Sequence, residues 1–400
     1  MDGNQRRYLD MRILGLSGIA LGHVDGASTH WIQICSNMQR LGADVLSLAP
    51  TFMPPETSLP FSIAYVPTGK REATWTIFWH LLSPLWLLYY TVVFRPDVVY
   101  SRSHLLMLPV LVTKLTGIPF VIEMNADKTR ELQWEKGIRR RLAGFWSWLE
   151  KTPYQLADLV LPVTSQLADI AVREYGVQPD RCRVVSNGFC PEVFYPRDRQ
   201  AAKRSIGLDV NRHYLVFVAL LSKHYSVDAL VKGFGIVAGR RPDVDLLIVG
   251  DGPCKPEMME AYARAGLGDR VIFTGMLPED KAAEYIGASV CGLAHLEVDE
   301  YAKRVGASPI KVFSYLGCGR PVIAARVPTL AEILIEGRCG LVLEDETPET
   351  FARAVMHLLD DPAEADAMGR RGYELAMERY TWEAVARQTL AYITEAIHAA

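Results

Sequence analysis

From one end of the chain to the other, short apolar runs alternate with longer segments whose apolar residues recur three or four positions apart. The short runs suit strands buried on both faces, and the longer segments suit amphipathic helices. In the first half, strands are expected at Arg12–Leu16, Asp44–Leu48, Ser62–Val66, Asp97–Tyr100, Phe120–Glu123, Leu159–Val163 and Arg183–Ser186. The second half repeats the pattern, with strands at Tyr214–Leu220, Asp245–Val249, Val271–Thr274, Val290–Ala294, Pro321–Ala325 and Gly340–Leu343. The helix after the first strand carries Trp31, Ile34, Met38 and Leu41 at helical spacing. Strand–helix alternation of this kind builds parallel sheets with helices on both faces. Turn formers crowd the stretch from Asn187-Gly188 to Pro196-Arg197-Asp198, which places a linker near 190–200. The chain then reads as two Rossmann-like α/β domains, 1–195 and 196–380, facing a central cleft. A terminal helix over 381–400 is free to pack back on the first. In such folds ligands bind outside the carboxyl ends of the strands.

Composition narrows the function classes. Of 400 residues, 50% are hydrophobic and 22% charged, which supports a large core and argues against disorder. The net charge of −3 gives no chain-wide basic footprint for nucleic acid. Seven scattered cysteines without a C-x-x-C pair indicate neither a zinc site nor a disulfide framework, so reduced thiols in a cytosol are expected. The polar start, Met1-Asp2-Gly3-Asn4-Gln5-Arg6-Arg7, runs straight into a strand and lacks the apolar core of a signal peptide.

The stretch from Ser308 to Ala325 reads as loop, helix, turn and strand. Ser308 suits a helix N-cap, Pro309 the first helical position, and Lys311 the first turn. Free N–H groups, the helix dipole and a lysine together favour an anion, although an ordinary capped helix would look the same. Glycine-rich turns follow the first strand (Gly15 to Ser28) and end two strands of the second half (Val249-Gly250-Asp251-Gly252-Pro253 and Phe273-Thr274-Gly275-Met276). None is G-x-G-x-x-G or a Walker A loop, so a nicotinamide cofactor is disfavoured.

In order and spacing these pieces resemble the retaining glycosyltransferases of family 4, which have the GT-B fold. The resemblance is carried by Asp25-Gly26-Ala27-Ser28-Thr29-His30, Arg95-Pro96-Asp97, Glu123-Met124-Asn125-Ala126, Ala157-Asp158, Ser186-Asn187-Gly188 and Phe194-Tyr195-Pro196. It continues through the Gly252 and Gly275 turns and the Ser308–Ala325 stretch. It implies sugar transfer from a nucleotide-sugar donor to a glycan, lipid-linked or small-molecule acceptor, with no cofactor and no obligatory metal. It also implies site roles. Gly252 and Met276 would hold the nucleoside, and Ser308 with Lys311 the diphosphate. Gly26 would let the first domain close over the donor. Asn125, where many relatives place a histidine, and Glu123 would face the acceptor or the reacting sugar.

The chain departs from the family pattern at three points. Two glutamates that relatives place eight positions apart are Gly306 and Ser314 here, and Ser314 could hydrogen-bond the ribose. Glu297 or Glu300 would then serve at the donor sugar. Near the basic positions after the first strand of the second domain stand Leu220 and Tyr225, so Lys223 or His224, or Lys303 or Arg304, would contact the diphosphate. These departures keep open a non-catalytic nucleotide-sugar or glycan binder, beside an epimerase of the same fold.

Two segments bear on membranes. Trp75 to Phe94 is almost wholly apolar but holds His80, Ser83 and Pro84, so a core or interfacial helix is expected ahead of a spanning one. Lys136 to Leu149 sets Arg139, Arg140 and Arg141 beside Phe145, Trp146 and Trp148, which suits an anionic bilayer surface or an ordinary solvated helix. The expectation is a cytoplasmic transferase, with a peripheral place on the inner membrane face or a membrane-docked scaffold left open.

Overall fold

The computed structural model describes residues 11–23, 25–69, 72–102, 108–128, 130, 140–221, 227–294 and 300–399. Lys223, His224, Tyr225, Glu297 and Arg139 lie outside them. The chain divides into two units, Met1–Asn187 with Trp382–Ala400, and Gly188–Thr381.

The first unit holds strands β1 (Arg12–Ser17), β2 (Asp44–Pro50), β3 (Ser62–Val66), β4 (Val98–Arg102), β5 (Phe120–Met124) and β6 (Leu159–Pro162). All pair in parallel, in the order β3-β2-β1-β4-β5-β6. The second unit holds β7 (His213–Val218), β8 (Val244–Val249), β9 (Val271–Gly275), β10 (Cys291–Ala294), β11 (Val322–Ala324) and β12 (Gly340–Val342), in the order β12-β11-β10-β7-β8-β9. Each is the doubly wound order in which the strand sequence reverses beside the first strand. A crevice opens there at the carboxyl ends, between β1 and β4 in one unit and between β7 and β10 in the other.

Both sheets are covered on both faces, which explains the unbroken apolar runs. Along β7, Leu215 and Phe217 join one buried cluster, with Phe234, Leu246 and Ile248. The alternate residues Tyr214 and Val216 join another, with Leu247, Val312 and Leu316. Successive strand side chains point to opposite faces, so each strand feeds two layers. Each fully buried aliphatic side chain contributes roughly 1.5–3 kcal/mol against exposure.

The structure differs from the sequence reading at several boundaries. Arg183–Ser186 is not a strand. Arg183 and Val185 donate their N–H groups to Val160 and Pro162 of β6, but only the Val160–Cys182 pair forms a bridge. The first crossing between units falls after Asn187, upstream of the expected 190–200 linker. The cause is apolar: Phe189 and Phe194 are buried in the second unit's cluster with Val312 and Phe313, so residues 188–195 belong there. The terminal helix Trp382–Ala399 lies in the first unit, against the helix Gly26–Arg40.

The helix Glu72–Val93 packs on β2 and β3 through one stripe, Trp79, Ser83, Leu87 and Thr91, all buried and spaced four apart. Its remaining surface leaves Ile77, Phe78, Leu81, Leu85, Leu88, Tyr89, Val92 and Val93 exposed.

Candidate active site

In the first unit the carboxyl ends of β1, β4 and β5 place Ser17, Arg102 and Glu123 side by side, because Ser17 pairs with Arg102 and Arg102 with Glu123. Glu123 is 4% exposed, and both its oxygens are engaged. His30 Nε2 donates to Oε1 at 2.8 Å, and the Tyr100 hydroxyl donates to the same oxygen. Asn125 Nδ2 donates to Oε2 at 3.3 Å, and an Arg102 guanidinium nitrogen lies 3.8 Å from it. Burial alone would raise the Glu123 pKa. The charges of His30 and Arg102 and the hydrogen bonds from His30 and Tyr100 outweigh it and hold the carboxyl at about 2. Burial and the neighbouring carboxylate push the Tyr100 phenol up.

His30 completes the cluster from the opposite side. Its Nδ1 lies 2.6 Å from Asn187 Oδ1, and the Trp382 ring meets it edge-on with centroids 5.3 Å apart. The ring is thus held between a carboxylate at one nitrogen and a side-chain amide at the other. The helix that carries His30 is fixed at its start by Asp25, whose carboxylate accepts from Ser28 N at 2.7 Å. Gly26 is the first residue of that helix and is exposed.

The sequence reading gave Glu123 and Asn125 roles at the acceptor or reacting sugar. The structure brings them together, with Asn125 bonded to Glu123. Yet Glu123 is a buried hub that positions His30, Tyr100 and Asn125, and it offers no open oxygen. His30, Tyr100, Arg102 and Asn187 were missed. The signal for His30 was present: it sits one turn before Ile34, a polar residue on the buried stripe of its helix.

In the second unit the loops after β7 and β8 zip together. Leu221 N donates to Asp251 O at 2.8 Å, and Cys254 N to Leu221 O at 3.0 Å. This closeness requires glycine. Gly250 and Gly252 have φ of +137° and +153°, and a Cβ at either would strike the carbonyl oxygen of Ala219 or Leu221. The Gly252 N–H is turned onto Asp251 Oδ1 at 2.8 Å, whose other oxygen binds Lys255 Nζ at 2.8 Å. Met276 follows β9 and is 45% exposed.

The helix after β10 starts one residue later than its sequence suggests. It spans Ile310–Gly317 with Pro309 at the cap position and no side-chain cap bond, so Ser308, buried, is not the N-cap. Pro309 has an extended ψ of 125°, which defers the first helical turn. Lys311 lies in that turn, its Nζ 4.5 Å from the centre of the Phe217 ring. Ser314 Oγ donates to Ile310 O at 3.3 Å, so its hydroxyl is folded back on its own helix. Gly306 has φ of +68°, a left-handed turn. Glu300 begins a short helix, is bonded to Lys303 Nζ at 2.8 Å, and its side chain is 88% exposed.

Two family models match most of the chain: Glycosyltransferase Family 4 over residues 24–193 and Glycosyl transferases group 1 over residues 212–361. The chain is therefore a glycosyltransferase and belongs to family 4. It is 29% identical over 309 residues to alpha-maltose-1-phosphate synthase of Mycolicibacterium smegmatis, covering 70% of this chain and 74% of that enzyme. It spans only 55% and 57% of the length of two other curated relatives it matches. Its fold is GT-B: sucrose-phosphate synthase from Thermosynechococcus elongatus superimposes with a TM-score of 0.78 at 19% identity, over 98% of this chain and all of that one. Anabaena HepE, solved with UDP, superimposes with a TM-score of 0.72 at 16% identity, over 96% of this chain and all of that one.

Proposed function

We propose that this chain moves a sugar from a nucleotide-sugar donor to a hydroxyl acceptor with retention of anomeric configuration. The observation that carries the reading is the second unit's diphosphate cradle: the Gly250–Gly252 loop, whose two glycines leave no room for a Cβ, and the Ile310–Gly317 helix start with Lys311. Positive charge and N–H dipoles aimed at the leaving nucleoside diphosphate are the largest catalytic contribution expected of such a site. Lys311 and backbone N–H groups supply that charge in this reading, without a resident metal ion.

In the step we propose, the acceptor oxygen bonds to the anomeric carbon while the bond from that carbon to the phosphate oxygen breaks. The electron pair leaves on the diphosphate, and the hydroxyl proton passes to the departing phosphate oxygen. Retention then follows from attack on the face the diphosphate leaves. Glu123 is not a nucleophile in this reading, because both its oxygens already accept hydrogen bonds. A thermal-shift screen of UDP-, GDP- and ADP-linked sugars tests donor binding. A rise in melting temperature with one of them supports the reading, and no shift with any contradicts it.

A second reading concerns location, favoured by the Glu72–Val93 helix. Its Trp75–Val93 segment is only 28% buried and carries no charged residue. Leu81, Leu85 and Val92 are 58–70% exposed, and Leu115 on the adjoining helix Leu108–Thr116 is 88% exposed. The other side packs on the sheet, so the helix is suited to lie in a bilayer surface rather than cross it. We place the enzyme on the cytoplasmic membrane face, where a lipid-linked acceptor would be presented. Flotation with anionic vesicles tests this, and a protein that stays with the soluble fraction contradicts it.

A further inference from the structure

Arg102 is the group that the first unit's cluster leaves unsatisfied. It ends β4 at the switch point of the sheet, beside Ser17 at the end of β1. Its side chain is 13% exposed, and among the described residues it donates no hydrogen bond. The guanidinium nitrogen that faces Glu123 is fully buried without a hydrogen-bond partner, and so is the Ser17 hydroxyl oxygen. The nearest carboxylate oxygen is that of Glu123 at 3.8 Å, and Glu123 already serves His30, Tyr100 and Asn125. Asp25 also acts on Arg102 electrostatically, but its carboxylate caps the Gly26–Arg40 helix. His30 is spent between Glu123 and Asn187.

A buried guanidinium N–H with no hydrogen bond is costly, and the planar fork that carries it suits an oxyanion. Burial also lowers the Arg102 pKa, the mark of a cation held where its charge lacks solvent. From the carboxyl ends of β1 and β4 we infer that Arg102, with Ser17, binds an oxyanion carried by the acceptor, a phosphate or a carboxylate. Arg102 therefore sets acceptor specificity. This rests on the transferase reading and names the acceptor's chemical class.

Thermal shift and titration on the full chain, with saturating UDP to fill the donor's diphosphate site, test the inference separately from that reading. The probes are inorganic phosphate, glucose 1-phosphate, glucuronate and glucose, at matched ionic strength. Stabilisation by at least one anionic probe and none by glucose is expected. Phosphate and glucose 1-phosphate acting without glucuronate would assign a phosphoryl group, and the reverse a carboxylate. Arg102→Gln should weaken the anionic probe at least tenfold while UDP affinity is kept. Arg102→Lys, which retains the charge, should lose less. Equal response to glucose and its anionic counterparts, no response to any anion, or unchanged anion affinity in both variants would overturn the inference. The shift caused by UDP alone reports on the donor site.

Discussion

His30 Nε2 lies 2.8 Å from Glu123 Oε1, and this buried pair holds the carboxyl end of the first sheet to the helix that begins at Gly26. Each partner is 5% exposed or less at its side chain, so neither group has water to fall back on. Removing one side of such a pair is far more costly than removing both, because the survivor is left buried and unpaired. His30→Ala should destabilise the protein by about 3–5 kcal/mol. Urea unfolding of His30→Ala, Glu123→Gln and the double variant checks it: the double variant should lose less than the sum of the singles. Additive losses would mean the two residues do not interact.

The same pair makes stability depend on acid. The folded-state pKa of Glu123 lies near 2, below its ordinary value of 4.5. A depressed carboxylate contributes stability that is complete above the unfolded value and is lost as pH falls through the folded one, so the window runs from 4.5 down to 2. The stability difference between the parent and Glu123→Gln should shrink by on the order of 2 kcal/mol between about pH 6 and about pH 3. A difference that stays constant across that window would show that Glu123 is not ionised through these contacts.

Lys311 is expected to act on the donor and not on the fold. Its ammonium rests over the Phe217 ring, an interaction worth about 0.5–1 kcal/mol at an accessible site. Lys311→Ala should lower affinity for a nucleoside diphosphate about tenfold or more, the scale of a lost charge-assisted hydrogen bond. Calorimetric titration with UDP, beside a melting temperature, separates the two. Unchanged affinity would remove Lys311 from the site.

Gly252→Ala should cost about 2 kcal/mol or more and weaken UDP binding, since a Cβ at φ +153° meets the Leu221 carbonyl. Denaturation midpoints and titration read both effects. A stable variant that binds UDP normally would show that the loop has room.

Leu81→Glu with Leu85→Glu should abolish vesicle flotation without lowering the melting temperature, because both residues are exposed. A drop in melting temperature would mean that this face packs on the protein.

Much of the fold was legible because both sheets are buried on both faces. The β8 run Val244–Val249 is buried throughout, and no other element type accounts for so short an apolar run between turn formers. Arg183–Ser186 misled because an extended segment bonded to one neighbour has a strand's composition without a strand's pairing. The glycine turns at Gly250 and Gly252 were legible for the same reason they exist, since only glycine tolerates such backbone approach. Ser314 was less so: its sequence position suggests a ribose contact, while its hydroxyl is bonded to Ile310 O. Least legible was the Glu123 hub. Three of its partners lie 21 to 93 residues away in the chain, and only the strand order brings Arg102, Tyr100 and His30 to one carboxylate.

The central claim is sugar transfer from a nucleotide-activated donor. It is tested most directly by incubating the purified chain with each of UDP-, GDP- and ADP-glucose and a panel of neutral and anionic sugar acceptors, then measuring nucleoside diphosphate release and the anomeric configuration of the product. Acceptor-dependent release from one donor, with product of the donor's own configuration, is the predicted result. No release with any pair, or a product of inverted configuration, would contradict it.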